Sequence, residues 1–180
     1  MAPDAAAWRA WLEENHATAT GAWLVRGRSG YVDRHVAYED AILHALCFGW
    51  IDGPVRVFDE ETTGLWFTPR RPGSGWAATN KARIARLEAE GLMAEAGIRV
   101  LEAAKASGSW TLLDGPEALL EPPELTAALD ALPAARAAWD AFPPSTRKVG
   151  LTNIAMAKRP ETRSARIAKI VADAAEGKRP

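Results

Sequence analysis

The chain has 180 residues, of which 48% are hydrophobic and 25% are charged, and its formal net charge is −1 at pH 7. These are ordinary values for a globular protein, and a nearly neutral chain has no overall attraction to nucleic acid or to an anionic membrane. The single cysteine, Cys47, excludes an internal disulfide and a metal site built from several cysteines. The chain has no run of about 18 apolar residues, and its start lacks the basic and apolar regions of a signal peptide. We therefore expect a cytoplasmic protein without membrane insertion.

Hydrophobic periodicity and turn residues predict a mixture of helices and strands in the first half of the chain. The predicted elements are a helix from Asp4 to about His16, a strand over 21–27, a helix over 38–48, and strands over 55–58 and 65–68. The first helix should turn Trp8 and Trp11 into the core, and Gly49 is placed to end the second helix. The last two strands flank the polar turn DEETTG, which predicts an antiparallel hairpin.

Glycine and proline residues divide the second half of the chain into helices. The predicted helices cover 74–90, 94–106, 123–132, 133–141, 145–157 and the stretch that begins near Pro160. Ser74 is the expected N-cap of the first of these helices, which would carry Trp76 on its inner face. In the next helix, Ile98 and Leu101 should face inward, and the glycines and prolines of 107–123 predict an ordered loop.

Together these elements predict an α+β fold that is mainly helical, with helices packed around a small antiparallel sheet and an all-helical C-terminal segment. A chain of this length can bury one core. We therefore expect a single domain over residues 1–180, in which 120–180 is a candidate helical subdomain.

Two dense blocks of polar and aromatic residues stand out: CFGWIDG, from Cys47 to Gly53, and FTPRRPGSGW, from Phe67 to Trp76. A plain core needs neither their charged residues nor their turn formers, so these blocks predict a site. Because they flank the predicted hairpin, they should converge into one pocket. The candidate ligand-binding residues of this pocket are Trp50, Asp52, Phe67, Arg70, Arg71, Ser74, Trp76 and Asn80.

Asp52 follows a residue that ends a helix and precedes a strand, so we expect it at a helix-to-strand corner, where site residues are common. It is the candidate catalytic residue, as a general base, or the partner of a cation. The alternative is an Asx turn that holds its own backbone. Trp50 is either an aromatic wall for the ligand or part of the core.

Arg70 and Arg71 are neighbours on a predicted extended segment, so their side chains should point to opposite faces and one of them should enter the pocket. An arginine there would bind a carboxylate or phosphate, and the alternative is a structural salt bridge, for example to Asp52. Backbone N–H groups at a helix start near Ser74 would add a general anion site. Trp76 and Asn80 would share a helix face at i, i+4, with Asn80 as a satisfied amide or a ligand donor.

The histidines and the cysteine give weaker signals. His16 is expected to cap a helix end, and His35 is left without a role. His44 and Cys47 could share a helix face with Asp40, but nothing in the sequence completes a metal site, so helix packing is the favoured interpretation. Cys47 is expected to be a small buried residue rather than a nucleophile. We expect neither a metal nor a cofactor. The remaining tryptophans, Trp23, Trp66, Trp110 and Trp139, are core residues or pocket walls.

Beyond the two blocks, the chain continues with NKARIARLEAEG and, from Ala157 to Ile167, AKRPETRSARI. With these motifs in order, the sequence from Trp8 to about Gly177 resembles the bacteriocin-protection, YdeI/OmpD-associated family. The resemblance implies a link to bacterial resistance against antimicrobial peptides and to association with an outer-membrane porin, but no shared reaction. Two positions depart from the family pattern. Ala94 replaces a polar helix cap, and Ala77 replaces a frequent serine, which removes a hydroxyl beside Trp76.

Three functional hypotheses follow. The first is a binding protein whose pocket holds a small amphipathic or anionic molecule or a peptide, which agrees with a protective role in which sequestering a toxic compound suffices. The second is an enzyme that uses the same pocket, with Asp52 as acid or base and an arginine as electrostatic stabiliser. The third is nucleic-acid binding through residues 147–180, which hold nine Lys or Arg against three Asp or Glu. Their spacing fits an ordinary helix face better, so we expect a ligand and possible protein partners but no nucleic acid.

Overall fold

The computed structural model describes residues 2–28 and 36–180, so His35 lies outside the described residues. In chain order, these residues form α1 (Ala5–Asn15), β1 (Ala22–Gly27), α2 (Tyr38–Cys47), β2 (Trp50–Val57), β3 (Thr62–Pro69), α3 (Ala78–Ala89), α4 (Glu95–Ala106), α5 (Asp114–Glu117), α6 (Pro123–Asp130), α7 (Pro133–Ala141), α8 (Pro144–Ala155) and α9 (Pro160–Ala175). The predicted α+β class, mainly helical with a small antiparallel sheet and a helical C-terminal segment, is confirmed. Within the described ranges, no helix is long and apolar enough to cross a membrane.

The described strands form one antiparallel sheet in the order β1–β3–β2. β2 and β3 make the predicted hairpin, but both are longer than the sequence pattern indicated. β2 begins at Trp50, directly after Gly49, whose φ of 73° lets the chain leave α2 through the left-handed region. The register between β2 and β3 shifts between Asp52 and Val55, at a Gly-Pro pair, because proline cannot donate a hydrogen bond to the ladder.

The chain divides into two compact units, and the first comprises the residues up to Ser74 together with Thr79–Ser107. Trp8 joins three of its elements. The indole is 2% exposed, its ring centroid lies 5.1 Å from that of Phe67 in β3, and its N–H donates to the carbonyl of Ala41 in α2 at 3.1 Å. The core of this unit therefore lies between the sheet and the first two helices.

The predicted ends of α1 are confirmed. The Asp4 carboxylate accepts a hydrogen bond from the backbone N–H of Ala7 at 2.8 Å, and His16 is the C-cap. Trp11 stacks on Trp8, with ring centroids 5.4 Å apart, but is only half-buried. Trp11 is therefore only partly a core residue, because one face of its ring packs on Trp8 while the side chain as a whole is half-buried.

The second unit comprises Gly75–Ala78 and Gly108–Pro180. Its helical core is formed by Leu125, Leu129, Ala135, Trp139, Leu151, Ile154, Ile167, Ile170 and Ala174. Proline stands at the start of α6, α7, α8 and α9, where its missing N–H costs nothing and its fixed φ suits a helix. The helix boundaries predicted from these prolines are confirmed to within a few residues. The expectation of a single domain over 1–180 stays a prediction.

The predicted helix start at Ser74 is wrong, because α3 begins at Ala78. Gly73 has a φ of 77° and closes a turn in which both the backbone N–H and the hydroxyl of Ser74 donate to the carbonyl of Arg71. The hydroxyl therefore bonds backward into the turn and does not cap a helix. Trp76 lies before α3, so the predicted i, i+4 relation between Trp76 and Asn80 is not formed.

The inward face of α4 also differs from the prediction. Ile98 is 41% exposed, whereas Gly97, Leu101 and Ala104 are buried. A Cβ placed on Gly97 would lie 2.2 Å from the carbonyl oxygen of Cys47, so the glycine allows α4 to approach the end of α2 closely. Leu101 and the likewise predicted Ala104 are buried, so the prediction is wrong at Ile98 alone, next to the close contact of Gly97.

Candidate functional site

The two polar and aromatic blocks converge, as the sequence predicted. Trp50 pairs with Pro69, and Asp52 pairs with Phe67, in the ladder between β2 and β3. Just beyond the ladder, the backbone N–H of Arg70 donates to the carbonyl of Gly49 at 3.0 Å. The hairpin therefore places the start of β2 beside the end of β3, and with them the charged residues of both blocks.

Asp52 lies inside β2, as its third residue, and the predicted helix-to-strand corner is therefore wrong, because β2 begins directly after Gly49. Its half-buried carboxylate accepts a hydrogen bond from the hydroxyl of Tyr38 at 3.0 Å. Burial raises the pKa of Tyr38, and the hydrogen bond to Asp52 and its negative charge raise it further. Tyr38 is therefore a neutral hydrogen-bond donor at physiological pH, and it fixes the position of the Asp52 carboxylate.

Arg70 is half-buried, whereas its neighbour Arg71 is exposed. This is the asymmetry that the alternation of an extended segment predicts. Burial lowers the pKa of Arg70 to about 10, and the negative charge of Asp52 partly offsets that decrease. Because this pKa is still well above 7, Arg70 carries its positive charge at neutral pH in a partly dehydrated setting.

Arg83 of α3 binds Glu39 of α2 through a two-point ion pair. Its Nε and Nη2 donate to the two carboxylate oxygens at 2.9 and 2.6 Å, and its Nη1 donates to the Oδ1 of Asn80 at 2.9 Å. The hydrogen bond from Arg83 lowers the pKa of Glu39, and the same bond raises the pKa of Arg83. The amide oxygen of Asn80 is therefore satisfied, as the first of the two alternatives for this residue expected.

These groups form one polar cluster, which we define as Tyr38, Glu39, Asp52, Arg70, Asn80 and Arg83. Its members are linked by hydrogen bonds or by direct electrostatic interaction, since Asp52 acts on both guanidinium groups. Two guanidinium groups face two carboxylates, so the cluster is balanced in formal charge. It offers donors and acceptors, held by α2, the hairpin and α3, to a ligand that carries polar groups of either kind.

Sequence reasoning missed three members of the polar cluster: Tyr38, Glu39 and Arg83. The i, i+3 spacing of Asn80 and Arg83 was an available signal, since such residues meet on a helix surface. The sequence contained no such signal for Tyr38 and Glu39, because they occupy ordinary positions at the start of α2. Only the packing of α2 beside the hairpin brings them to the site.

Four of the candidate residues lie elsewhere or are enclosed. Trp50 is 1% exposed and donates its indole N–H to the carbonyl of His16 at 3.3 Å, and Phe67 is fully buried against Trp8. Trp76 belongs to the second unit, where it is buried with its ring 5.1 Å from that of Trp110. Ser74 is held in its turn, so the general anion site expected at its helix start does not form. We therefore leave Trp50, Phe67, Ser74 and Trp76 out of the proposed site.

The helical histidine and the cysteine behave as packing residues. Cys47 is buried, and burial raises the pKa of its thiol, whereas an activated cysteine nucleophile has a lowered pKa. Burial is also the main cause that lowers the pKa of His44. Among the described residues, no group of three or more His, Cys, Asp or Glu is arranged to hold a metal ion.

The fold and the site therefore define an α+β protein in which a charge-balanced polar cluster lies at the hairpin of the first unit. The chain belongs to the family described as Domain of unknown function (DUF8412), whose model matches residues 1–100 and so covers the whole polar cluster. Residues 119–177 match the family described as Bacteriocin-protection, YdeI or OmpD-Associated, which confirms the predicted resemblance for this part of the chain. Neither the curated proteins nor the solved structures gave a match to the chain.

Proposed function

We propose that this is a binding protein that holds the polar group of a small amphipathic or anionic molecule, or of a peptide, at the polar cluster. The name of the family that residues 119–177 match points to protection against bacteriocins, and sequestration of such a compound would provide it. The observation that carries the proposal is Arg70, a charged and half-buried guanidinium next to a carboxylate that Tyr38 holds in place.

Arg70 and Arg83 have different environments, and this difference supports the assignment of Arg70 as the anion contact. For Arg83, the hydrogen bond to Glu39 is the largest influence on its pKa, and it raises that pKa. For Arg70, burial is the largest influence on its pKa, and the charge of Asp52 is a smaller one. A partly dehydrated guanidinium binds a carboxylate or phosphate more strongly than a hydrated one, because less water is removed on binding.

A second candidate function is an enzyme that uses the same residues. The hydrogen bond between Tyr38 and Asp52, within the electrostatic reach of Arg70, favours it, because the three groups form a proton donor, an acceptor and an anion stabiliser. Because its pKa is raised, Tyr38 stays protonated at neutral pH and cannot be the base, so Asp52 would be the base.

The neighbouring arginines provide the test. Calorimetric titration with acetate, inorganic phosphate and a short amphipathic peptide with a free C-terminus should detect binding. Arg70→Lys should weaken that binding by roughly 1.5–3 kcal/mol, because lysine keeps the charge but loses the planar two-point fork. Arg71→Lys is the matched control and should bind as the native protein does. Equal and small effects at the two positions would contradict the proposal.

The protective role and the enzyme alternative need separate readouts. Expression of the native protein in a bacteriocin-sensitive strain should raise survival, and Arg70→Lys should reduce that gain at an equal protein level. Incubation of the bound compound with the protein then separates the two functions. Release of an altered compound, abolished in Asp52→Asn, would favour the enzyme, whereas recovery of the unchanged compound favours the binding protein.

A further inference from the structure

The second unit contains an apolar groove that the polar cluster does not involve. The groove has a volume of about 260 Å³ and is lined by α5, the segment that follows it, α8 and the start of α9. Its floor is apolar: Pro116, Leu151 and Ile154 are buried residues of the helical unit. Leu120 stands at its edge with 65% of its surface exposed, and Arg163 brings a guanidinium to the same lining.

A backbone reversal at Leu119 creates the edge of the groove. Leu119 has a φ of 56°, which is unusual for a residue with a side chain, and the next N–H, from Leu120, donates to the carbonyl of Gly115 at 2.8 Å. The reversal sends two consecutive leucines in different directions. Leu119 packs against the helical core, whereas Leu120 stays exposed in the groove lining.

The charges near the groove favour an anionic ligand group. Glu121 also belongs to the lining, but Arg136 binds both of its oxygens at 2.7 and 2.8 Å and thereby compensates its charge. Arg163 has a weaker partner, the exposed carboxylate of Glu124 at 3.4 Å. The surrounding sequence, residues 147–180, carries nine Lys or Arg against three Asp or Glu. Arg163 is therefore the positively charged residue of the lining, and its carboxylate partner is exposed.

We propose that this groove binds a small organic carboxylate with a short apolar chain. The chain would lie on Leu151 and Ile154 and against Leu120, and the carboxylate would take the place of Glu124 on Arg163. The volume is just below the range of about 300–1,000 Å³ that is usual for drug-sized ligands, so a short chain fits and a large molecule does not. The part of the lining from Leu120 onward lies in the bacteriocin-protection match, and the site does not depend on the function proposed for the polar cluster.

Head-group discrimination is the first test. Octanoate, 1-octanol and octylamine share one chain and differ in charge, and titration of the full chain with each, followed by amide chemical shifts, compares them directly. Octanoate should bind most tightly and octylamine least. Arg163→Gln should weaken octanoate binding by roughly threefold to tenfold and leave octanol unchanged, because the lost interaction is a partly exposed ion pair. Glu124→Gln should strengthen octanoate binding, since it removes the competing carboxylate.

Occlusion of the groove is the second test. Gly115 belongs to the lining, and an added Cβ would meet no atom within 4 Å, so Gly115→Phe can fill the groove without a clash at its first carbon. This variant should lose octanoate binding, whereas Ala127→Phe, on the exposed side of α6, is the matched control and should keep it. Denaturation curves of both variants check that they are folded. Undetectable octanoate binding, equal affinity for octanoate and octylamine, or native binding by folded Gly115→Phe would each overturn the proposal.

Discussion

A partly buried arginine has its pKa shifted in opposite directions in the two units. In the first unit, burial lowers the pKa of Arg70 to about 10. In the second, Arg136 binds Glu121 with two nitrogens and Asp140 as well, and these hydrogen bonds raise its pKa. The pKa of Arg136 is therefore governed by its carboxylate partners, whereas at Arg70 burial outweighs the attraction of Asp52. This difference is the reason for proposing Arg70, rather than Arg136, as the ligand contact.

The largest expected effect tests whether the two units unfold separately. Trp8→Ala in the first unit and Trp139→Ala in the second remove rings that are 2% and 0% exposed, and each should cost roughly 3–5 kcal/mol of unfolding free energy. We propose that the chain is one folding domain, so both variants should shift one and the same calorimetric transition. Two resolved transitions, each moved by only one variant, would contradict this.

A smaller effect is expected from the ion pair of the second unit. Glu121→Gln should lower the unfolding free energy by about 2–4 kcal/mol at neutral pH, because it leaves Arg136 without the carboxylate that matches its fork. The hydrogen bond from Arg136 is the main cause that holds the pKa of Glu121 at about 2, below its ordinary 4.5. Its stabilisation is therefore present above about pH 4.5 and is lost as the pH falls toward 2.

Urea denaturation at several pH values measures this effect. The native protein should lose stability over that window, and Glu121→Gln should show a flatter acid dependence. Asp130→Asn is a suitable control, since this exposed carboxylate lies 3.9 Å from Arg136 and should contribute little. Equal losses for both substitutions would mean that the pair has no special stabilising role.

In the first unit, removal of the Tyr38 hydroxyl should have a modest effect. Tyr38→Phe deletes the hydrogen bond to Asp52 and should cost about 0.5–1.5 kcal/mol, as for an ordinary hydrogen bond. Because the pKa of Tyr38 is raised, the contribution is present below about pH 10 and is lost as the pH rises through the folded-state value. Absorbance titration should show that the later of the two tyrosine ionisations disappears in the variant. If both tyrosines of the native protein instead ionised together at about pH 10, the bond would be excluded in solution.

The smallest effect on stability is expected at the proposed ligand contact itself. Arg70→Met should change the unfolding free energy by less than about 1 kcal/mol, because the lost attraction to Asp52 is offset by the removal of a partly dehydrated charge. Arg71→Met, at an exposed position, provides the reference. A loss of more than about 2 kcal/mol specific to Arg70 would support the structural salt bridge and would weaken the binding proposal.

Prediction from sequence succeeded where a local signal was strong and failed where long-range packing decided. Proline at helix starts, glycine at helix ends and the polar hairpin turn identified most elements of both units. The helix start predicted at Ser74 is wrong because its hydroxyl bonds backward to the carbonyl of Arg71. The inward orientation predicted for Ile98 is wrong because Gly97 allows close packing against Cys47. Of the polar cluster, Asp52, Arg70 and Asn80 were among the predicted residues, whereas Tyr38, Glu39 and Arg83 were not.

The sequence by itself determined the element order, the α+β class and the convergence of the two blocks, because period, turn chemistry and hairpin pairing are local properties. It also predicted that only one of Arg70 and Arg71 would be enclosed, since the side chains of neighbours on an extended segment alternate, and their exposure is indeed unequal. Only the tertiary structure decided which of the two is partly buried. It also joined residues 14 and 44 positions apart, in the pairs Tyr38–Asp52 and Glu39–Arg83. Such pairs depend on how α2 and α3 pack beside the hairpin, and no spacing along the chain encodes that packing.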